Sequence, residues 1–146
     1  MYEASGERPV DRVAITRGAV VGLALIVPIT ILGAVLDRLL DDFEDSGWRV
    51  LLAILIVVAY GVAGWVAGRM SRYPLTNGAL AGVGAFVVWI PVRILIWLLR
   101  DEHRGLVSGS EPVFKLGQVF GQLLLATAIG MLGGFIADRR RPRVPG

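Results

Sequence analysis

The sequence predicts an all-α membrane protein whose four transmembrane helices form one bundle. Of its 146 residues, 55% are hydrophobic and 18% are charged, whereas soluble domains have about 45–50% apolar and about 25% charged residues. Four long apolar runs contain no charged residue: 18–36, 50–68, 73–92 and 116–137. Each has close to the roughly 20 residues that a helix needs to cross about 30 Å of hydrocarbon. Because no polar face recurs at helical spacing inside these runs, a soluble helical core is disfavoured.

The predicted elements belong to a single transmembrane domain, residues 1–146. In chain order they are a tail of residues 1–12, helices at 13–36, 48–70, 76–99 and 112–137, and a basic tail of residues 138–146. The first and third helices contain Pro28 and Pro91. Since proline removes a backbone hydrogen bond and crowds the preceding turn, we expect a kink in each.

Local signals support the connections and the helix starts. Between the first two helices, apolar residues within 36–45 recur at helical spacing among acidic ones, which predicts a short amphipathic turn at the membrane surface. Thr76 and Asn77 can cap the third helix. Pro112 falls in the first turn of the fourth predicted helix, where its missing N–H costs nothing.

The distribution of charge predicts that both termini face the cytoplasm. Nine basic residues fall in or beside the two tails and the connection between the second and third helices, and five fall in or beside the other two connections. Those other connections also hold eight of the twelve acidic residues. Cytoplasmic segments carry an excess of Lys and Arg, so the more basic side is predicted to be cytoplasmic. The preference for Arg, with much Gly, Ala and Val, is typical of GC-rich bacterial genomes and indicates the bacterial cytoplasmic (inner) membrane.

Two short stretches occur twice in the chain. Residues 63–69 read AGWVAGR and residues 133–139 read GGFIADR, while residues 16–22 read TRGAVVG and residues 76–82 read TNGALAG. The pattern predicts two tandem helical hairpins. Because both hairpins would start on the same side, the repeat is parallel, with its axis along the membrane normal. Glycine-rich membrane helices also resemble one another by composition alone, and that alternative stays open.

Ten glycines form five G-x-x-x-G pairs, a spacing that lets helix backbones approach closely in lipid. The pairs are Gly18/Gly22, Gly64/Gly68, Gly78/Gly82, Gly117/Gly121 and Gly130/Gly134. We expect these glycines to pack helices, either within one bundle or between copies of the chain.

A motif at the helix ends resembles one that occurs in a known group of proteins. The matching residues are Gly133, Gly134, Ala137 and Arg139 in a G-G-x-x-A-x-R pattern, with residues 63–69 as a variant copy and Gly78 and Gly82 opening the third helix. In this pattern the chain resembles small four-helix bacterial integral membrane proteins of unknown function. The resemblance covers most of the chain and rests on packing motifs, so it implies a fold and no activity.

Arg93 lies deeper within a predicted span than any other charged residue, since the others fall near the helix ends. Its side chain can extend to the membrane surface past Trp97, or it can hold an anion or a carboxylate partner such as Asp37 or Asp41. Both interpretations stay open.

Gln118 and Gln122 lie four residues apart on one face of the fourth predicted helix. They can line a polar path or join helices by hydrogen bonds. Together with Arg93, they form the candidate ligand or ion path.

The sequence lacks the residues that several kinds of chemistry require. The chain has no cysteine, so it has no disulfide, thiolate nucleophile or cysteine-ligated metal. His103 is the single histidine, and its acidic neighbours lack the spacing of a metal site. No nucleophile is paired with a base, and no span holds paired carboxylates. We therefore predict no enzyme activity, no cofactor and no metal, and, because the basic residues lie at membrane ends, no nucleic-acid binding.

These observations favour a non-enzymatic integral membrane protein that acts through helix packing, either as a homo-oligomer or as an accessory subunit of a larger membrane complex. The alternative is a small channel or transporter with a site near Arg93 and Gln122. In both cases the lipid bilayer is the first partner.

Overall fold

Four long helices make up most of the chain. The computed structural model describes residues 9–99, 105, 107–109, 112 and 114–142. The helices are α1 (Arg12–Leu39), α2 (Gly47–Met70), α3 (Pro74–Leu99) and α4 (Leu116–Arg139), with a short 3₁₀ helix at Phe43–Asp45. As predicted, all four are long and apolar enough to span a membrane, and the described residues contain no strand.

The helix starts follow from local chemistry, with two departures from the predicted ones. Asp11 caps α1, because its Oδ1 accepts from the backbone N–H groups of Val13 and Ala14. Helix α3 begins at Pro74 rather than at Thr76, because proline is well suited to a first turn. Helix α4 begins at Leu116, so Pro112 lies before the helix and not in its first turn.

The helices pack with α2 and α3 at the centre. Each of these two contacts every other helix, whereas α1 and α4 do not contact each other. Three buried apolar side chains near the middle of the bundle, Ile26, Tyr60 and Phe86, fill the space between α1, α2 and α3.

The two ends of the bundle contain different parts of the chain. We call the end that carries residues 9–11, the α2–α3 connection and residues 140–142 the terminal end, and the opposite end the distal end. At the terminal end, Asn77 is fully buried. Its Oδ1 accepts from the Asp11 N–H at 2.9 Å, and its Nδ2 lies 3.0 Å from the Pro9 carbonyl and 2.5 Å from Ser71 Oγ. The side-chain amide of Asn77 thereby links the segment before α1 to the α2–α3 connection.

Candidate functional site

A cavity of about 320 Å³ lies at the distal end, among α1, α2 and α3. Its lining repeats one spacing on two helices. Helix α1 contributes Thr30, Gly33, Ala34 and Asp37, and α2 contributes Arg49, Leu52, Ala53 and Ile56. The spacing i, i+3, i+4, i+7 places each set along one face of its helix. Helix α3 completes the wall with Trp89 and Arg93, four residues apart.

The cavity brings three charged side chains together within a largely apolar wall. Arg93 from α3, Arg49 from α2 and Asp37 from α1 all line it. Arg93 is half-buried, while Arg49 and Asp37 are exposed at the distal end. Of the two carboxylates considered for Arg93, Asp37 shares this cavity and Asp41 does not line it.

Thr30 and Trp89 add neutral polar groups to the wall. The Trp89 Nε1–H donates to Thr30 Oγ1 at 3.3 Å, and the Thr30 hydroxyl donates to the Ile26 carbonyl at 2.8 Å. Trp89 also stacks on Phe86, with ring centroids 6.1 Å apart, and meets Phe114 edge-on at 6.5 Å. These contacts fix the position of the indole in the cavity wall.

The candidate path of Arg93, Gln118 and Gln122 does not form around this cavity. No residue of α4 lines it. Gln118 is exposed and Gln122 is half-buried on α4. The structure thus places Arg93 with Asp37 and Arg49 rather than with the two glutamines.

Sequence reasoning missed Arg49, Trp89 and Thr30 as members of the site. Arg49 contributed to the sequence argument only through its charge, although it falls inside the predicted helix 48–70, and it lies in the first turn of α2. The signal that was available is the matching spacing of polar and small residues near the distal ends of α1 and α2. It shows which residues share a helix face, but it does not show which faces meet.

Eight of the ten glycines considered for packing lie against another helix in the terminal half of the bundle. A Cβ built on Gly64 would overlap the Gly130 backbone, and one on Gly68 would lie 2.7 Å from the Gly134 Cα. A Cβ on Gly18 would lie 2.5 Å from the Ala63 carbonyl oxygen. The same crowding holds for Gly22, Gly78, Gly82, Gly130 and Gly134.

Gly117 and Gly121 differ from the other eight. A Cβ built on either would meet no atom within 4 Å. Both are exposed in the distal half of α4. Within the described part of the chain they pack no other helix.

The described residues contain no group of three or more His, Asp or Glu side chains that could hold a metal ion. His103 lies outside the described residues, as do Arg100, Asp101, Glu102 and Glu111. Comparison with family models, with curated proteins and with solved structures gives no match to this chain.

Proposed function

We propose that this chain is a non-enzymatic multi-pass membrane protein that binds a small solute with an anionic group in the distal cavity, as a small transporter does. The observation that carries the proposal is the meeting of Arg93, Arg49 and Asp37 around one cavity at the end of a membrane bundle. Ionisable residues within membrane spans are costly and commonly mark the path of a ligand or ion.

The charge balance of the lining favours an anion. Arginine stays charged at physiological pH and presents a planar set of donors that suits carboxylates and phosphates. Two arginines and one aspartate leave the described lining with a net positive charge. Because the surrounding wall is largely apolar and the bilayer has a low dielectric constant, this charge acts over a longer range than it would in water.

The close packing of the other half favours a carrier over an open pore. Near the terminal end, helix backbones meet at glycines with no space between them, as at Gly64 and Gly130. A solute that enters the cavity from the distal end meets this packed region below it. Passage across the bundle would therefore require the helices to rearrange.

The absence of cysteine makes a direct test simple. Ala53→Cys places one thiol in the cavity wall, and Gly121→Cys places one at similar depth on the open face of α4. We expect a negatively charged methanethiosulfonate reagent to modify Ala53→Cys about tenfold faster than a positively charged one. Adding Arg93→Gln should abolish that preference, and Gly121→Cys should react slowly with both reagents. Equal rates at Ala53→Cys would refute the anion site.

Flux measurements then distinguish transport from binding alone. The full chain in liposomes should move a small organic or inorganic anion, and Arg93→Gln should abolish that movement. Binding without flux would assign the cavity to a receptor or accessory role instead of transport.

A second candidate function is helix packing with another copy of the chain. The observation that favours it is the open Gly117/Gly121 pair, since the other eight glycines are used inside the bundle. In native membranes, a bismaleimide should cross-link Gly121→Cys into dimers and should leave Val87→Cys, exposed on α3, as monomer. Equal cross-linking of both variants would argue against this interface and leave an accessory subunit of another complex as the packing hypothesis to pursue.

For orientation and origin, we propose the cytoplasmic membrane of a bacterium with both termini in the cytoplasm, as the charge distribution favours. We also propose that the two hairpins are tandem repeats. Equivalent positions support this, because Arg69 stacks over Trp65 at 4.7 Å and Arg139 stacks over Phe135 at 4.5 Å.

A further inference from the structure

An apolar groove of about 390 Å³ lies between α2 and α4, away from the distal cavity. Its floor is backbone, because a Cβ built on Gly133 would overlap the Gly61 carbonyl. Exposed side chains such as Val58 and Leu132 form its walls. The groove exists because two helices touch through glycines while larger side chains stand on both sides.

The length of the groove matches one leaflet of a bilayer. On α4 it extends from Ile129 to Arg140, about 16 Å at the helical rise per residue. The hydrocarbon core of a bilayer is about 30 Å thick, so the groove covers about half of it. It begins near the middle of the bundle and ends at the terminal end.

Three consecutive arginines at that end have different surroundings. Arg139 stacks over Phe135. Arg141 donates from Nη2 to the carbonyls of Gly68 and Ser71. The Arg140 side chain lines the groove and makes no hydrogen bond, ion pair or ring contact within the described part of the chain.

We propose that this groove binds one acyl chain of an anionic phospholipid from the leaflet at the terminal end, with the lipid phosphate paired to Arg140. Apolar walls suit the acyl chain, and a guanidinium at the end of the groove, with no partner among the residues that the structure describes, suits the phosphate. The proposal is independent of the solute site at the distal end.

A second positive charge lies near the end of the groove that carries Arg140. Arg69 stacks over Trp65, and Trp65 itself lines the groove. A second guanidinium therefore lies beside the groove, near the depth of Arg140. The one described carboxylate nearby in sequence, Asp138, lines a different depression with Arg139 and Arg141.

The test measures lipid binding to the full chain in mild detergent by native mass spectrometry. The probes are phosphatidylglycerol and phosphatidylcholine with identical acyl chains. Wild type should bind the first phosphatidylglycerol molecule at least about fivefold more tightly than phosphatidylcholine. Arg140→Gln should remove that preference, while its matched control Arg139→Gln should keep it.

A second pair of variants tests the groove itself. Gly61→Leu should fill it and weaken binding of both lipids severalfold, since there is ordinary space for a side chain at Gly61, whose Cβ would lie 3.6 Å from Ile129 Cγ2. Gly121→Leu, at an open position on α4, should bind both lipids as wild type does. Circular dichroism and gel filtration check that each variant keeps the fold. If Gly61→Leu fails this check, Leu132→Trp fills the groove from its exposed wall and should cause the same loss.

Three results would overturn the proposal. The first is equal affinity of wild type for the two lipids. The second is an equal loss of phosphatidylglycerol binding in Arg139→Gln and Arg140→Gln. The third is wild-type lipid binding in a folded groove-filling variant.

Discussion

Glycine at position 64 illustrates how single atoms decide the packing of this bundle. Its α-carbon faces the backbone of Gly130, and an added Cβ would overlap the Gly130 carbonyl oxygen and carbon. Since backbone atoms cannot rotate away as a side chain can, α2 and α4 would have to separate. In lipid, close backbone contact is the main source of attraction between helices, so the separation also removes favourable dispersion contacts.

We expect Gly64→Ala to lower the free energy of unfolding by about 1–3 kcal/mol, the usual cost of overpacking. Gly117→Ala is the matched control, because a Cβ there meets nothing within 4 Å. It should be neutral or stabilising by up to about 1 kcal/mol, because alanine favours the helix more than glycine does. Thermal unfolding in mild detergent measures both changes. Equal effects of the two substitutions would mean that the α2–α4 contact is not as close as described.

Asn77 holds the terminal end by hydrogen bonds. It is fully buried. Its side-chain amide forms hydrogen bonds with the backbone of residues 9–11, with the Ser71 hydroxyl and with the Tyr73 carbonyl. Asn77→Ala would leave buried donors and acceptors without partners, at about 1–3 kcal/mol. The expected result is a lower melting temperature in detergent and faster proteolysis of the segment before α1. Thr76→Ala, at an exposed neighbouring position, should change neither, and similar losses in both variants would contradict the role of Asn77.

Among the elements, the end of α2 depends on a side chain from beyond the end of α4. The last carbonyls of a helix have no partner within it. Arg141 donates to the Gly68 carbonyl, which also accepts from the Ser71 N–H, and to the carbonyl of the C-cap residue Ser71. Its positive charge is favourable at a helix C-terminus. Helices α2 and α4 are thus joined by glycine contacts in the terminal half and by one guanidinium at the terminal end.

This arrangement predicts a local effect on backbone motion. In Arg141→Gln, amide hydrogen exchange in residues 68–73 should be about tenfold faster, equivalent to about 1.4 kcal/mol of lost protection. Hydrogen exchange read by mass spectrometry would show it, with Arg140→Gln as the control that leaves those amides unchanged. An equal increase in both variants would indicate a general charge effect instead of the specific bonds of Arg141.

The two prolines within the helices each remove one backbone hydrogen bond without ending the helix. Pro28 lies inside α1 and Pro91 inside α3, and both helices continue past them. Thr30 does not replace the hydrogen bond that Pro28 cannot make to Ala24, because its hydroxyl donates to the Ile26 carbonyl. Both prolines lie on the part of the bundle where the cavity opens. Residues close to them line the cavity, since Ile29 follows Pro28 and Arg93 lies two residues after Pro91.

For the molecule as a whole, the two halves have different packing. The terminal half is held by glycine and alanine contacts and by the hydrogen bonds of Asn77 and Arg141. In the distal half, α1, α2 and α3 line the cavity that holds Arg93, Arg49 and Asp37. The proposed solute site therefore lies in the half of the bundle that lacks these close glycine contacts.

The proposed orientation has a direct test. Single cysteines at Ser108 and Pro142, both exposed, mark the distal and terminal ends of a chain with no cysteine of its own. In intact bacterial cells or spheroplasts, a membrane-impermeant maleimide should label Ser108→Cys and should label Pro142→Cys only after lysis. The opposite pattern would place the termini outside, and labelling of both without lysis would contradict a cytoplasmic location of the C-terminus.

The sequence by itself determined the number of helices long and apolar enough to span a membrane, the lack of cysteine and the glycine positions able to support close packing, because these depend on composition and on spacing along one helix. Only the tertiary structure decided which glycines meet a partner: Gly64 does and Gly117 does not, although both belong to G-x-x-x-G pairs. It also decided that Arg93 shares a cavity with Arg49 and Asp37 and that Gln122 lies elsewhere. The physical reason is that helical spacing specifies which residues share a face, whereas the choice of facing helices depends on the fit of all four surfaces together.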